Sequence, residues 1–181
     1  MYQKITGIVA MLFVVTCMVS CGDDEEVLKE DQLTGNWSLE SQEIRNVTAN
    51  AQGFSFPLDD VPEVRNLLDT IAIFPENATI TFNENKSYVV TDPSISDNAL
   101  QGTWSLDETG ETLTINGLDD ASQFLGSNSL SFTIQEFTDT NLSLLASIPD
   151  ITLPDDIDIP NVPNIGTISL SADYQLDLKK Q

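Results

Sequence analysis

Residues 168–178 read Ile168-Ser169-Leu170-Ser171-Ala172-Asp173-Tyr174-Gln175-Leu176-Asp177-Leu178 and keep one phase throughout. Ile168, Leu170, Ala172, Tyr174, Leu176 and Leu178 fall on one face; Ser169, Ser171, Asp173, Gln175 and Asp177 fall on the other. Side chains alternate faces along a strand, so this pattern marks a sheet that is buried on one side and wet on the other. A turn would usually reset the phase, so one long strand is predicted rather than a hairpin. Such a strand needs neighbours along both edges, and a closed barrel supplies them.

Working backwards, three hairpins carry the same signature. Residues 78–82 (ATITF) put Ala78, Ile80 and Phe82 on one face, Asn83 to Lys86 supply turn chemistry, and Ser87-Tyr88-Val89-Val90-Thr91 returns. In the second, Trp104 and Leu106 point one way, Asp107 to Gly110 turn, and Leu113 and Ile115 come back. The third runs through Leu130, Phe132 and Ile134, turns at Thr138-Asp139-Thr140, and resumes at Leu142 and Leu144. The inward set predicted for the barrel is bulky: Ile80, Phe82, Tyr88, Val90, Trp104, Leu106, Leu113, Ile115, Phe132, Ile134 and Tyr174.

Two segments depart from this rhythm. Val64, Leu67, Leu68 and Ile71 form an apolar stripe at helical spacing, with Asp60 as the expected cap, Pro62 in the first turn and Phe74-Pro75 as the stop. A short amphipathic helix must lay that stripe on the sheet or across a barrel mouth. Residues 147–166 (SIPDITLPDDIDIPNVPNIG) carry Pro149, Pro154, Pro160 and Pro163, which argue against a central strand. They are expected to form an extended Pro/Asp-rich loop inserted between two strands.

Leu33-Thr34-Gly35-Asn36-Trp37-Ser38-Leu39 opens the domain, and Leu100-Gln101-Gly102-Thr103-Trp104-Ser105-Leu106 repeats it. Gly-x-Trp at the start of the first strand resembles the lipocalin and calycin signature. The succession LTGNWSLES, ATITFNENKSYVV, QGTWSLDETGETLTI and SFTIQEFTDTNLSLL resembles the lipocalin-like domain of Bacteroidota lipoproteins over about 33–146 and 167–178. The resemblance implies an all-β, antiparallel up-and-down (lipocalin-like) β-barrel, mostly of unassigned function in that family. Gly35, Trp37, Gly102 and Trp104 are the barrel-core signature. The chain departs from true lipocalins in lacking an Arg placed to cover the barrel-closing Trp. Phe82, Tyr88, Trp104, Phe132 and Tyr174 are the candidate ligand-lining residues.

The N-terminus reads as an address. Lys4 precedes an apolar run from Ile5 to Ser20, which at helical rise covers about 24 Å against a hydrocarbon core of about 30 Å. The run ends Met18-Val19-Ser20-Cys21-Gly22, which resembles a bacterial lipobox with Cys21 as the lipidated residue. Asp23, Asp24, Glu25 and Glu26 follow and resemble the surface-export signal of Bacteroidota lipoproteins. The expected organisation is a signal peptide at 1–20, an acidic tether at 21–32 and a barrel domain at 33–181. The expected location is the outer membrane, cell-surface exposed, with a periplasm-facing orientation as the alternative. The membrane is engaged through the lipid (palmitate) anchor alone.

Composition excludes much else. Across 181 residues there are 7 Lys and Arg against 29 Asp and Glu, a formal charge of −22, and no histidine. So acidic a chain is a poor partner for a phosphate backbone, and His-based triads and His metal ligands are removed. No nucleophile elbow or glycine-rich phosphate loop occurs, no cofactor is implied, and the chain is not expected to be an enzyme. Asp155, Asp156 and Asp158, near Asp150, offer oxygen ligands of the kind calcium prefers but lack EF-hand spacing, so solvated loop carboxylates are the favoured reading. Asn-x-Ser/Thr occurs at Asn36, Asn46, Asn77, Asn85 and Asn141 and is read as turn and strand composition; Asp69-Thr70-Ile71 looks like a Bacteroidota O-glycosylation tripeptide. The functional expectation is a monomeric envelope lipoprotein binding a small apolar or amphipathic ligand. The alternative is a structural lipoprotein contacting an envelope partner or extracellular polymer, without a ligand cavity.

Overall fold

The computed structural model describes residues 30–51, 54–68, 73–93, 100–119, 125–151 and 169–181. Among these residues nine strands appear in chain order: β1 (Gly35–Ala51), β2 (Phe54–Pro57), β3 (Thr79–Phe82), β4 (Ser87–Thr91), β5 (Leu100–Leu106), β6 (Thr112–Asn116), β7 (Ser129–Phe137), β8 (Asn141–Ile151) and β9 (Ser169–Lys180). Each pairs antiparallel with the next from β3 to β9, β1 pairs with β3, and β9 returns to pair with β1. Eight strands thus close an up-and-down barrel, and β2 is a short addition on the far end of β1. The single phase at the C-terminus is one strand with neighbours on both edges, β8 and β1.

The buried faces follow the alternation. Ile80 and Phe82, Tyr88 and Val90, Leu113 and Ile115, Leu130 and Phe132, and Leu170 to Leu178 in steps of two all face the core. Leu106 and Ile134 are only partly buried and pack at its margin. Among the described residues the core contains no buried charged or polar residue.

Four irregularities bend this sheet into a barrel. β1 carries bulges between Leu39 and Ser41 and between Arg45 and Thr48, β7 between Ile134 and Glu136, and β8 between Ile148 and Ile151. Bulges add local twist and reset which side chains point inward. Asn46 sits in the second β1 bulge at φ 54°, a left-handed conformation that Asn tolerates better than most residues, and its amide donates to Asp173 Oδ2 at 2.8 Å.

The structure corrects three expectations. β8 continues through Pro149 to Ile151, so the inserted segment does not begin at 147; the proline lies in the bulge, where a missing N–H removes no ladder bond. The helix spans Pro62–Leu68, and its first internal bond, Arg65 N–H to Val61 O at 3.0 Å, makes Val61 the cap rather than Asp60. Pro62 is then the first helical residue, where its lacking N–H costs nothing. Residues 30–33 form a helical turn joined to the barrel, so the last three residues of the expected tether, 30–32, belong with the domain that Leu33, 1% exposed, opens. Cys21, Asp23, Asp24, Glu25, Glu26, the tripeptide at 69–71 and Asp155, Asp156 and Asp158 lie outside the described residues.

Candidate functional site

The two Gly-x-Trp segments meet at one end of the barrel. Gly35 lies opposite Phe82 across β1 and β3, and Phe82 meets Trp104 edge-on with ring centroids 5.9 Å apart. Trp37 is 0% exposed, stacks against Phe137 at 6.3 Å, and donates its indole N–H to Leu33 O at 2.7 Å. The Trp104 indole N–H is shared between Asn83 O at 3.2 Å and Ser87 O at 3.1 Å. A lysine covers each ring: Lys180 Nζ lies 5.4 Å from the Trp37 centroid and Lys86 Nζ 4.3 Å from that of Trp104. Both ammonium groups are tied to the helical turn at 30–33, Lys180 through Gln32 O and Lys86 through Glu30. Each ammonium group makes a cation–π contact with the indole it covers. Sequence reading found the indoles but not these lysines; their signal is only that each lies opposite a Gly-x-Trp strand.

Gly102 has a second reason to be glycine. A Cβ there would fall 1.8 Å from Asn116 O and 2.8 Å from the Tyr88 ring, so the β4, β5 and β6 backbones close up only without one. Tyr88 is wholly buried beside it, and among the described residues its hydroxyl has no hydrogen-bond partner. Burial, with the Asp119 carboxylate adding to it, pushes that hydroxyl up to about 12.

The open feature lies on the barrel's side rather than at this end. β3 pairs with β1 only over Gly35–Ser38, and β2 pairs with it from Thr48 onward. Between those points the second edge of β1 is stitched by Leu58, Arg65, Phe74 and Ala78. Leu39 N–H donates to Ala78 O at 2.9 Å, Arg65 Nη1 to Ile44 O at 3.1 Å, Gln42 Nε2 to Phe74 O at 2.7 Å, and Leu58 N–H to Val47 O at 2.8 Å. The helix lays Val64 and Leu68 onto the core beneath this seam.

These stitches leave a half-open groove of about 370 Å³ in the barrel wall. Its apolar lining is Leu39, Ile44, Leu68 and Tyr174, and its polar lining includes Gln42, Arg65, Glu40, Glu43 and Glu76. Gln42 points inward because the Leu39/Ser41 bulge shifts the phase of β1 by one residue. Its Oε1 accepts from the Tyr174 hydroxyl at 2.7 Å, so both ends of the amide are engaged. Burial holds the Tyr174 hydroxyl far above the ordinary tyrosine value. It is a neutral donor at any physiological pH. A volume of this size falls at the small end of the range for small-molecule sites.

Of the five candidate ligand-lining residues, Tyr174 alone lines this groove. Phe82, Tyr88, Trp104 and Phe132 are fully buried in the core, and Phe132 packs on Tyr174 with centroids 6.1 Å apart. Gln42, Arg65 and Glu76 were not singled out from sequence. Among the described residues no three metal-ligating side chains converge, and no helix is long and apolar enough to cross a membrane.

Strand order and closure define an all-β, closed eight-stranded antiparallel up-and-down barrel. The chain is similar in structure to an uncharacterized protein from Bacteroides eggerthii, with 12% identity, TM-score 0.38 and coverage of 82% of this chain and 99% of that one. It is likewise similar to a lipocalin-like protein from Bacteroides uniformis, with 12% identity, TM-score 0.37 and coverage of 83% and 99%. No family model and no curated protein sequence matches it.

Proposed function

We propose that this chain is a non-enzymatic envelope lipoprotein, anchored by acylated Cys21, whose barrel carries one small apolar or amphipathic molecule in the lateral groove. The observation that supports it is the groove itself: about 370 Å³, floored by Tyr174, Ile44, Leu39 and Leu68 beside the packed core. A rigid sheet fixes the floor, and the helix segment fixes the opposite wall. Two or more acyl chains at Cys21 would make anchoring effectively permanent, each buried CH₂ contributing about 0.8 kcal/mol. The acidic residues 23–26 favour a surface-exposed position in the outer membrane over a periplasmic one.

Native mass spectrometry of protein purified from its own host tests the ligand, the expected result being a co-purified small molecule in one-to-one ratio. Palmitate labelling tests the anchor: Cys21→Ala is expected to abolish labelling and release a folded domain from the membrane. Labelling that persists in the variant would reject the assignment.

A second reading has one observation in its favour. Phe54, on β2, is 66% exposed, the only large hydrophobic side chain so exposed among the described residues. A structural or interaction role would use that rim of the barrel to contact an envelope protein or polymer. Val64 of the helix is fully buried and offers no such surface.

A further inference from the structure

The geometry points to a cationic amphiphile, an alkyl- or aryl-ammonium compound, as the ligand class of the lateral groove, its apolar body on Tyr174, Ile44, Leu39 and Leu68 and its ammonium at Glu76. This rests on the groove being the binding site, and it adds the sign of the ligand's head group.

The polar atoms of the floor do not ask for a polar ligand. Gln42 donates to Phe74 O and accepts from Tyr174, so neither end of its amide is left over. Leu39 and the exposed margins of Ile44, Leu68 and Tyr174 give a ligand's body aliphatic and aromatic contact, beside the polar surface of Ser41 and Gln42.

The charges at the rim are not balanced. Three carboxylates, Glu40, Glu43 and Glu76, face one guanidinium, Arg65. Arg65 is already committed, with Nη1 on Ile44 O at 3.1 Å and Nη2 on Glu43 Oε1 at 3.3 Å. Glu40 is matched by Lys179 at 3.4 Å, a residue outside the lining. Among the described residues no cation lies within ion-pair distance of Glu76. A fatty-acid-like carboxylate entering here would find no free donor cation and would face the field of a chain carrying −22. An ammonium finds an unmatched carboxylate at the mouth and the same field drawing it in.

Octylammonium, octanoate and octanol, matched in chain length, separate the terms when titrated calorimetrically into the folded domain at physiological salt. Octylammonium is expected to bind in one-to-one ratio, about tenfold or more tighter than octanoate, with affinity falling as salt rises. Glu76→Gln should weaken octylammonium about twofold to fivefold and leave octanol unchanged, as for a solvent-exposed ion pair. Leu39→Trp, which fills a half-open wall rather than a sealed core, should abolish binding of all three, with circular dichroism confirming the fold.

Octanoate binding as tightly as octylammonium, or octylammonium indifferent to Glu76→Gln, overturns the head-group assignment while leaving the groove in place. Octylammonium that binds in multiple copies and ignores Leu39→Trp is general attraction to an acidic surface and also overturns it. If none of the three binds, the groove reading itself fails.

Discussion

The Tyr174 hydroxyl, on β9, donates a 2.7 Å hydrogen bond to Gln42 Oε1 on β1, and the same amide holds the Phe74 carbonyl at 2.7 Å. One side chain therefore joins the strand pair that closes the barrel to the segment that covers the gap beside it. The pair also forms the floor of the groove, so its integrity is a condition of any binding there.

Tyr174→Phe removes the donor while Gln42 Oε1 keeps the Phe74 N–H at 3.4 Å. The expected cost is about 1 kcal/mol. Gln42→Leu leaves both the Tyr174 hydroxyl and the Phe74 carbonyl without that partner, and should cost about 2–4 kcal/mol, since each buried unsatisfied group costs about 1–3. Urea unfolding checks both. Equal costs for the two variants would mean the amide does not bridge.

Tyr88→Phe should run the other way. Its hydroxyl is buried and has no partner among the described residues, so deletion removes a desolvation cost without breaking a bond. Stability is expected to stay level or rise by about 1 kcal/mol. A loss of that size would show that the hydroxyl has a partner, such as an ordered water.

Gly102→Ala places a methyl group 1.8 Å from Asn116 O, a backbone atom that cannot turn aside. The β5–β6 pairing must separate, at an expected cost of about 3 kcal/mol or more. A melting temperature within a degree or two of wild type, checked by circular dichroism, would contradict the close approach of these strands.

Alkaline pH should destabilise the barrel through its buried tyrosines. Tyr88 is raised to about 12 from an ordinary 10, and Tyr174 is raised as well. The unfolded chain releases these protons first, so stability is full below the unfolded value and falls as pH rises from 10 through the folded values. Asp177 acts at the opposite end. Burial pushes its carboxyl up, but hydrogen bonds from Ser143, Gln175 and Ser41, together with Arg45, outweigh that and hold it below 3.8. Its contribution is present above that value and lost as pH falls through the lowered one. Thermal melts across both windows check the signs, and Tyr88→Phe should make the alkaline fall shallower. A flat alkaline limb would contradict the burial.

The barrel was legible because alternation survives along most strands. Ser169–Lys180, the hairpin at 79–91 and the Asp107–Gly110 turn need only local pattern, and Asp107 accepts from Glu111 and Thr112 N–H as turn chemistry demands. β8 misled because a proline ordinarily forbids a ladder position, and only a bulge, invisible in composition, accommodates Pro149. The groove was hidden for the same reason. A bulge after Leu39 puts Gln42 and Ile44 on the inner face together with Leu39, a spacing that no two-residue period predicts. Arg65 and Glu76 reach it from a connection whose path the sequence does not show. The lysine covers over Trp37 and Trp104 likewise depend on cross-strand register, Trp37 opposite Lys180 above all.

Methyl-resolved NMR of the isotope-labelled domain titrated with octanol tests most directly whether the lateral groove is where a small molecule sits. Saturable shifts confined to the methyl groups of Leu39, Ile44 and Leu68 are the expected result. Shifts at interior methyls such as Leu113, Ile115 and Leu144 with none at the groove, or no saturable shift anywhere, would contradict it.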